Sequence, residues 1–205
     1  MKSLTRCAKC LACCLGFCLC ALAVAQPYYS HLDSEKITEA YELGRHRDEA
    51  MAAVLSKYIQ TFPTPQKGPY IGWIEVRTPY VQVVYAADED MLSGSELDAV
   101  QKYERAKLPV IVRVRVYWPP TNEVYSDEDS EKDMWKEFPI VVSQGRPLTA
   151  TSKKLIPYHM VQRGMARFDY TDMQLEFSAS KISSQMLTIV ASSPDGQHVR
   201  AKFDL

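Results

Sequence analysis

Pro-Val-Ile-Val-Arg-Val-Arg-Val-Tyr-Trp, at residues 109–118, is the stretch from which the fold is read. Val110, Val112, Val114, Val116 and Trp118 share one parity, while Ile111, Arg113, Arg115 and Tyr117 share the other. Successive side chains of a strand point to opposite faces, so one face carries an unbroken apolar ridge and the other a mixed, cationic one. The β-branched content favours a pleated strand over a helix. Such a ridge has to be covered by a second layer of structure.

On the C-terminal side, residues 185–191 read as a strand, and Ser193-Pro194-Asp195-Gly196 supplies the residue types of a tight turn. Val199, Ala201, Phe203 and Leu205 then alternate with polar neighbours, which predicts a hairpin. Residues 167–178 form another strand, with Met173, Leu175 and Phe177 on one face. Shorter strands are expected at 158–163, 135–143, 70–77 and 81–86, the last two separated by Thr78-Pro79. Residues 121–133 read as a polar loop and 145–156 as irregular connection.

Two helices complete the pattern. Asp33 or Ser34 caps the first, whose apolar positions Ile37, Tyr41, Met51, Leu55 and Tyr58 carry it to about residue 60. Its middle, Gly44 to Arg47, is weak enough to split it into two. The second lies within 88–105, capped by Ser93 or Ser95. Roughly seven or eight strands with few helices point to a mainly β chain. The expected architecture is an antiparallel β-sandwich with one N-terminal helix and a second helix inserted between strands.

The first residues bear on compartment. Lys2, Arg6 and Lys9 precede an apolar run at residues 11–24, and Ala23-Val24-Ala25 offers a cleavage site before Gln26. This is the pattern of a signal peptide over 1–25, followed by an exposed leader at 26–33 and a single β-rich domain at 34–205. The run is shorter than the roughly 20 residues of a spanning helix, so no stable membrane span is expected. An exported protein, periplasmic or secreted, follows.

All six cysteines lie inside the segment 1–25, as Cys7, Cys10, Cys13, Cys14, Cys18 and Cys20. The remaining chain therefore has no thiol nucleophile, no disulfide framework and no cysteine-ligated metal. Its core must be hydrophobic in the ordinary way. The segment 1–25 also holds three of the 24 basic residues and none of the 25 acidic ones, leaving 21 against 25, a net of −4 with histidine neutral. That mild acidity argues against nucleic acid as a partner. No phosphate-binding loop or G-x-G-x-x-G occurs, so neither nucleotide nor any other cofactor is expected.

Candidate sites are few. Asp127, Asp129 and Glu131 alternate as calcium ligands do, but Lys132 stands where such a loop needs glycine and Phe138 where it needs glutamate. A solvated charge run is the plainer account. His31, His46, His159 and His198 show no metal-binding spacing, and no serine has a nucleophile motif around it. His159 beside Tyr158 could be paired with Asp169 or Asp172 only by strand neighbourship. Trp135 is the tryptophan least committed to a core, and Arg113 and Arg115 form a cationic pair facing carboxylates such as Glu75 or Glu176, or an anionic partner. These residues, Trp135, Arg113 and Arg115, are the binding candidates.

The sequence thus points to a non-enzymatic β-sandwich module that binds a protein or cell-envelope component. One alternative is a hydrolase of glycan or peptide drawing its acid–base pair from Asp129, Asp169, Asp172 or Glu176. Another is a carbohydrate-binding module.

Overall fold

The structure, a computed structural model, describes residues 28–65, 68–89, 95–118, 128–162, 165–183 and 186–205; at 128–132, 159–162 and 165–169 it describes the backbone alone. The segment 1–25 read as a signal peptide lies outside the described residues.

Among the described residues nine strands form two antiparallel sheets. The first orders β1 (Ile59–Thr61), β2 (Tyr70–Arg77), β3 (Val110–Tyr117), β7 (Met165–Phe177) and β6 (Ser152–Gln162). The second orders β5 (Arg146–Pro147), β4 (Ile140–Gln144), β8 (Met186–Ser192) and β9 (His198–Asp204). The chain is mainly β, and among the described residues five α-helices accompany the sheets: α1 (Ser34–His46), α2 (Glu49–Ser56), α3 (Pro79–Glu89), α4 (Glu96–Glu104) and α5 (Glu128–Glu137).

The ridge on β3 sits where its alternation put it. Val110, Val112, Val114 and Val116 are fully buried, in one cluster with Ile74 and Val76 of β2 and Met173 and Leu175 of β7. The same cluster takes Val142, Leu187, Ile189, Ala201 and Phe203 from the other sheet. One apolar layer therefore serves both sheets. The C-terminal hairpin forms as expected, with Leu187 opposite Phe203 and Ile189 opposite Ala201.

Glutamine side chains tie the sheets at their borders. Gln60 of β1 donates to the Lys202 carbonyl at 2.5 Å and accepts from the Lys202 amide at 3.3 Å. Gln197, just before β9, accepts from the Ile71 amide at 2.8 Å and donates to its carbonyl at 3.3 Å. Each amide stands in for a peptide group and satisfies backbone that a strand border leaves unpaired.

The helices depart from expectation in number and place. The N-terminal helix is two: Asp33 caps α1, Arg47 leaves it in the left-handed conformation, and Asp48 caps α2. Gly44 is where α1 presses on α3, because a Cβ there would collide with the Val84 carbonyl. Residues 81–86, expected as a strand, belong instead to α3. The Thr78 hydroxyl accepts from the Val81 amide at 3.3 Å, and Pro79 occupies the first helical position, where its missing N–H costs nothing. Ser95 caps α4 with a reciprocal Asp98 contact. Residues 121–127 of the expected loop lie outside the described residues. α5 takes up the rest of it and the first residues of the strand expected at 135–143, whose remainder forms β4 from Ile140. Met134 and Phe138 are buried in the main cluster. Residues 152–156, expected as irregular, begin β6.

A second cluster, including Ile37, Ala40, Tyr41, Val83, Val84 and Ala99, binds α1, α3 and α4 together. The leader also differs from expectation, since Leu32 is buried and the Tyr28 hydroxyl donates to the Ala179 carbonyl at 2.8 Å. Among the described residues no helix is long and apolar enough to cross a membrane.

Truncating the ridge tests this arrangement. Val114→Ala should cost about 2 kcal/mol in urea unfolding, since it opens a cavity where both sheets meet. Val141→Ala, on the half-exposed face of β4, should stay within about 0.5 kcal/mol. Equal effects would place the core elsewhere.

Candidate functional site on the outer face of the five-stranded sheet

Because β3 alternates, its arginines point away from the valine layer. Directly opposed residues on antiparallel neighbours share a face, so the register gives the content of that outer face. Trp73, Arg115 and Asp172 form one row, and Glu75, Arg113 and Gln174 form the next. Beyond them, Tyr70, Tyr117, Tyr170 and Tyr158 make a row across four strands.

The centre of this face is ionic and dry. Asp172 has no exposed surface, and the side chains of Glu75 and Arg113 are 3% and 10% exposed. Charges in such a place must be paired. Asp172 accepts from Arg113 through Oδ2, and from Arg115 through Oδ1 at 2.7 Å and Oδ2 at 2.9 Å. Glu75 accepts from Arg113 at 3.2 Å, from Arg77 at 2.9 Å and from the Tyr85 hydroxyl of α3 at 2.7 Å. Arg113 Nε is buried and has no hydrogen-bond partner among the described residues. Burial lowers the Arg115 pKa, but the hydrogen bond and charge of Asp172 outweigh it and hold the guanidinium above its ordinary value. Burial, and then the charge of Glu75, push the Tyr85 hydroxyl well above the ordinary tyrosine range.

Aromatic rings roof the arginines. The Arg115 guanidinium lies 3.6 Å from the Tyr170 ring centre and 4.5 Å from that of Trp73. Tyr158 stacks on Tyr170 at 4.6 Å, Tyr70 stacks on Tyr117 at 5.3 Å, and Tyr117 meets Tyr170 at 5.8 Å in a tilted contact. A β-bulge at Gly72 makes room for this, because a Cβ there would collide with the Tyr117 ring. Tyr158 is exposed, and Trp73, Tyr70, Tyr117 and Tyr170 are half-buried. The row is an amphipathic strip over a fixed positive centre, suited to stacking and hydrogen bonding.

The binding candidates divide between two faces. Arg113 and Arg115 come together, but Trp135 does not join them. Trp135 packs against the main core beneath Lys153, whose ammonium lies 5.1 Å from the ring centre. Lys153 opposes the core residue Leu175, which puts Trp135 on the valine side of the sheet. Of the calcium candidates, Asp127 lies outside the described residues, while Asp129 and Glu131 are known only as backbone of α5. Among the described residues no group of three or more His, Cys, Asp or Glu side chains is arranged to hold a metal. The His159 and Asp169 side chains are likewise not described.

The tyrosine row escaped the sequence reading. Tyr117 stood on the arginine parity, but its companions Tyr70, Tyr158 and Tyr170 lie in other strands, and only the register unites them. Aromatics at polar parity in several strands are the signal that would have found it.

Two measurements probe the centre of the face. Asp172→Asn leaves two buried guanidinium groups short of a counter-charge and should cost about 3–5 kcal/mol in urea unfolding. Glu176→Gln, which loses only the exposed pair with Lys154 at 3.1 Å, should cost about 0.5 kcal/mol or less. Tyr85 carries a raised folded-state pKa, so its contribution is complete below the unfolded value of about 10 and is lost as pH climbs beyond it. Stability should fall with pH above about 10, less steeply in Tyr85→Phe. An unchanged slope in that variant would remove Tyr85 as a contributor. No family model, curated protein or solved structure matches the chain.

Proposed function

We propose that the chain is an exported, non-enzymatic β-sandwich module that binds a protein or cell-envelope partner through the outer face of its five-stranded sheet. In this reading the two sheets lie face to face across the valine layer, and the signal peptide at residues 1–25 is removed after Ala25. What carries this proposal is the tyrosine row beside Arg115, in which Tyr70, Tyr117, Tyr170 and Tyr158 stand side by side across four strands. Tyrosine, tryptophan and arginine are the residue types that anchor protein interfaces, because they bring contact area at a small cost in side-chain entropy. Arg115 is held rigidly by Asp172, so little freedom remains to be lost when a partner docks.

A hydrolase has less support. Asp172 is engaged by two arginines and Glu176 by Lys154 and Gln174, so neither carboxylate is placed to exchange a proton with a substrate. A carbohydrate-binding module is the second reading, favoured by the same tyrosines, since apolar sugar faces stack on aromatic rings.

Capture from envelope extract by the purified protein tests the face. The double variant Tyr158→Ala/Lys154→Ala should reduce the captured species by about tenfold, and Leu97→Ala on the exposed side of α4 should leave them unchanged. Release by soluble envelope polysaccharide selects the glycan reading over the protein one. Equal capture by the wild type and the double variant would remove this face as the interface.

A further inference from the structure

The chain crosses between its two sheets at two neighbouring places, and a cleft lies between the crossings. One wall is formed by residues 146–149, which lead from β5 toward β6, and the other by residues 177–182, which leave β7 toward β8. Its volume is about 640 Å³, within the range of about 300–1,000 Å³ that small-molecule sites occupy.

The lining is sharply divided in chemistry. Phe177 and Ile182 are buried members of the main hydrophobic cluster, and Leu148 packs against it, so the floor is apolar. Arg146 and Lys181 stand exposed at the rim, and neither forms a salt bridge with a described residue. Among the described residues no aspartate or glutamate lines the cleft. Thr149, Ser178 and Ser180 add hydroxyls, the two serine oxygens lying 2.9 Å apart.

The walls are held in place from behind. The Ser183 amide donates to Gln144 Oε1 at 3.1 Å, and Gln144 Nε2 donates to the Ser183 carbonyl at 3.0 Å. The Tyr28 hydroxyl pins the Ala179 carbonyl at 2.8 Å, and the Leu148 amide donates to the Val142 carbonyl at 2.8 Å. A cleft supported in this way exists before any ligand arrives, which lowers the entropic cost of binding.

We infer that this cleft binds a small anionic amphiphile, with a carboxylate or phosphate head between Arg146 and Lys181 and a short apolar tail on Phe177 and Ile182. Two cations with no carboxylate among the described lining residues favour an anion. The apolar floor then favours a ligand with a hydrocarbon part over a free inorganic ion. The site lies away from the tyrosine face and does not depend on that face being an interface.

Calorimetric titration of the purified protein with four probes tests the inference: decanoate, decyl phosphate, decanol and inorganic phosphate. Decanoate and decyl phosphate should bind, and decanol and inorganic phosphate should each be weaker by about tenfold or more. Arg146→Glu/Lys181→Glu, two exposed positions whose change leaves the core intact, should weaken decanoate by about tenfold or more. Ile182→Ala should weaken decanoate while leaving inorganic phosphate unchanged. Decanol binding as tightly as decanoate would overturn the role of the cations. Inorganic phosphate matching decyl phosphate would identify a free anion as the ligand and overturn the amphiphile. No heat with either decyl anion would remove the site.

Discussion

A strand that buries valines on one side and arginines on the other sets two demands at once. The valines Val110, Val112, Val114 and Val116 need an apolar layer, and the second sheet supplies it. The arginines need counter-charge in a place almost free of water, and Asp172 and Glu75 supply it from the two flanking strands. Both demands fix the same register. A slip of one residue between β3 and β7 would turn Asp172 toward the valine layer, leaving Arg115 without its carboxylate and Arg113 with Glu75 alone, so the ionic and apolar faces each enforce the other.

The outer face inherits its character from that pairing. With Arg115 held by Asp172, its planar group is available to rings rather than to solvent, and Trp73 and Tyr170 cover it. Gly72 adds the space that lets Tyr117 lie across β2, and the row then continues to Tyr158 at the sheet border. Burial of the charges and organisation of the tyrosines are therefore one construction. The glutamine contacts act at the other border, where Gln60 and Gln197 each satisfy the backbone of the opposite sheet. Between them these devices leave the sheets little freedom to slide.

Much of this was legible residue by residue. Strict alternation made β3 and the terminal hairpin readable, and the side-chain oxygens of Asp33 and Ser95 marked helix starts. What escaped did so for physical reasons. The run Val81-Gln82-Val83-Val84 looks like a strand, because tertiary burial overrides the preference of its valines and Thr78-Pro79 starts a helix. α5 hides in an acidic segment whose only apolar anchors, Met134, Trp135 and Phe138, come at its end. Trp135 and the arginine pair were close in character but lie on opposite sides of one sheet, a relation that parity cannot give for residues on different elements. Pairings such as Arg115 with Asp172 span 57 positions in the chain, so local pattern could name the partners' types but not join them.

Native-state hydrogen exchange along β3 tests the central claim most directly. If the strand is clamped by the valine layer beneath it and by the carboxylates above, the amides of Val112, Val114 and Val116 exchange only through global unfolding. Their opening free energies then equal the value from urea denaturation and fall with it in Asp172→Asn. Exchange of those amides through low-energy local opening, unaffected by that substitution, would contradict the account.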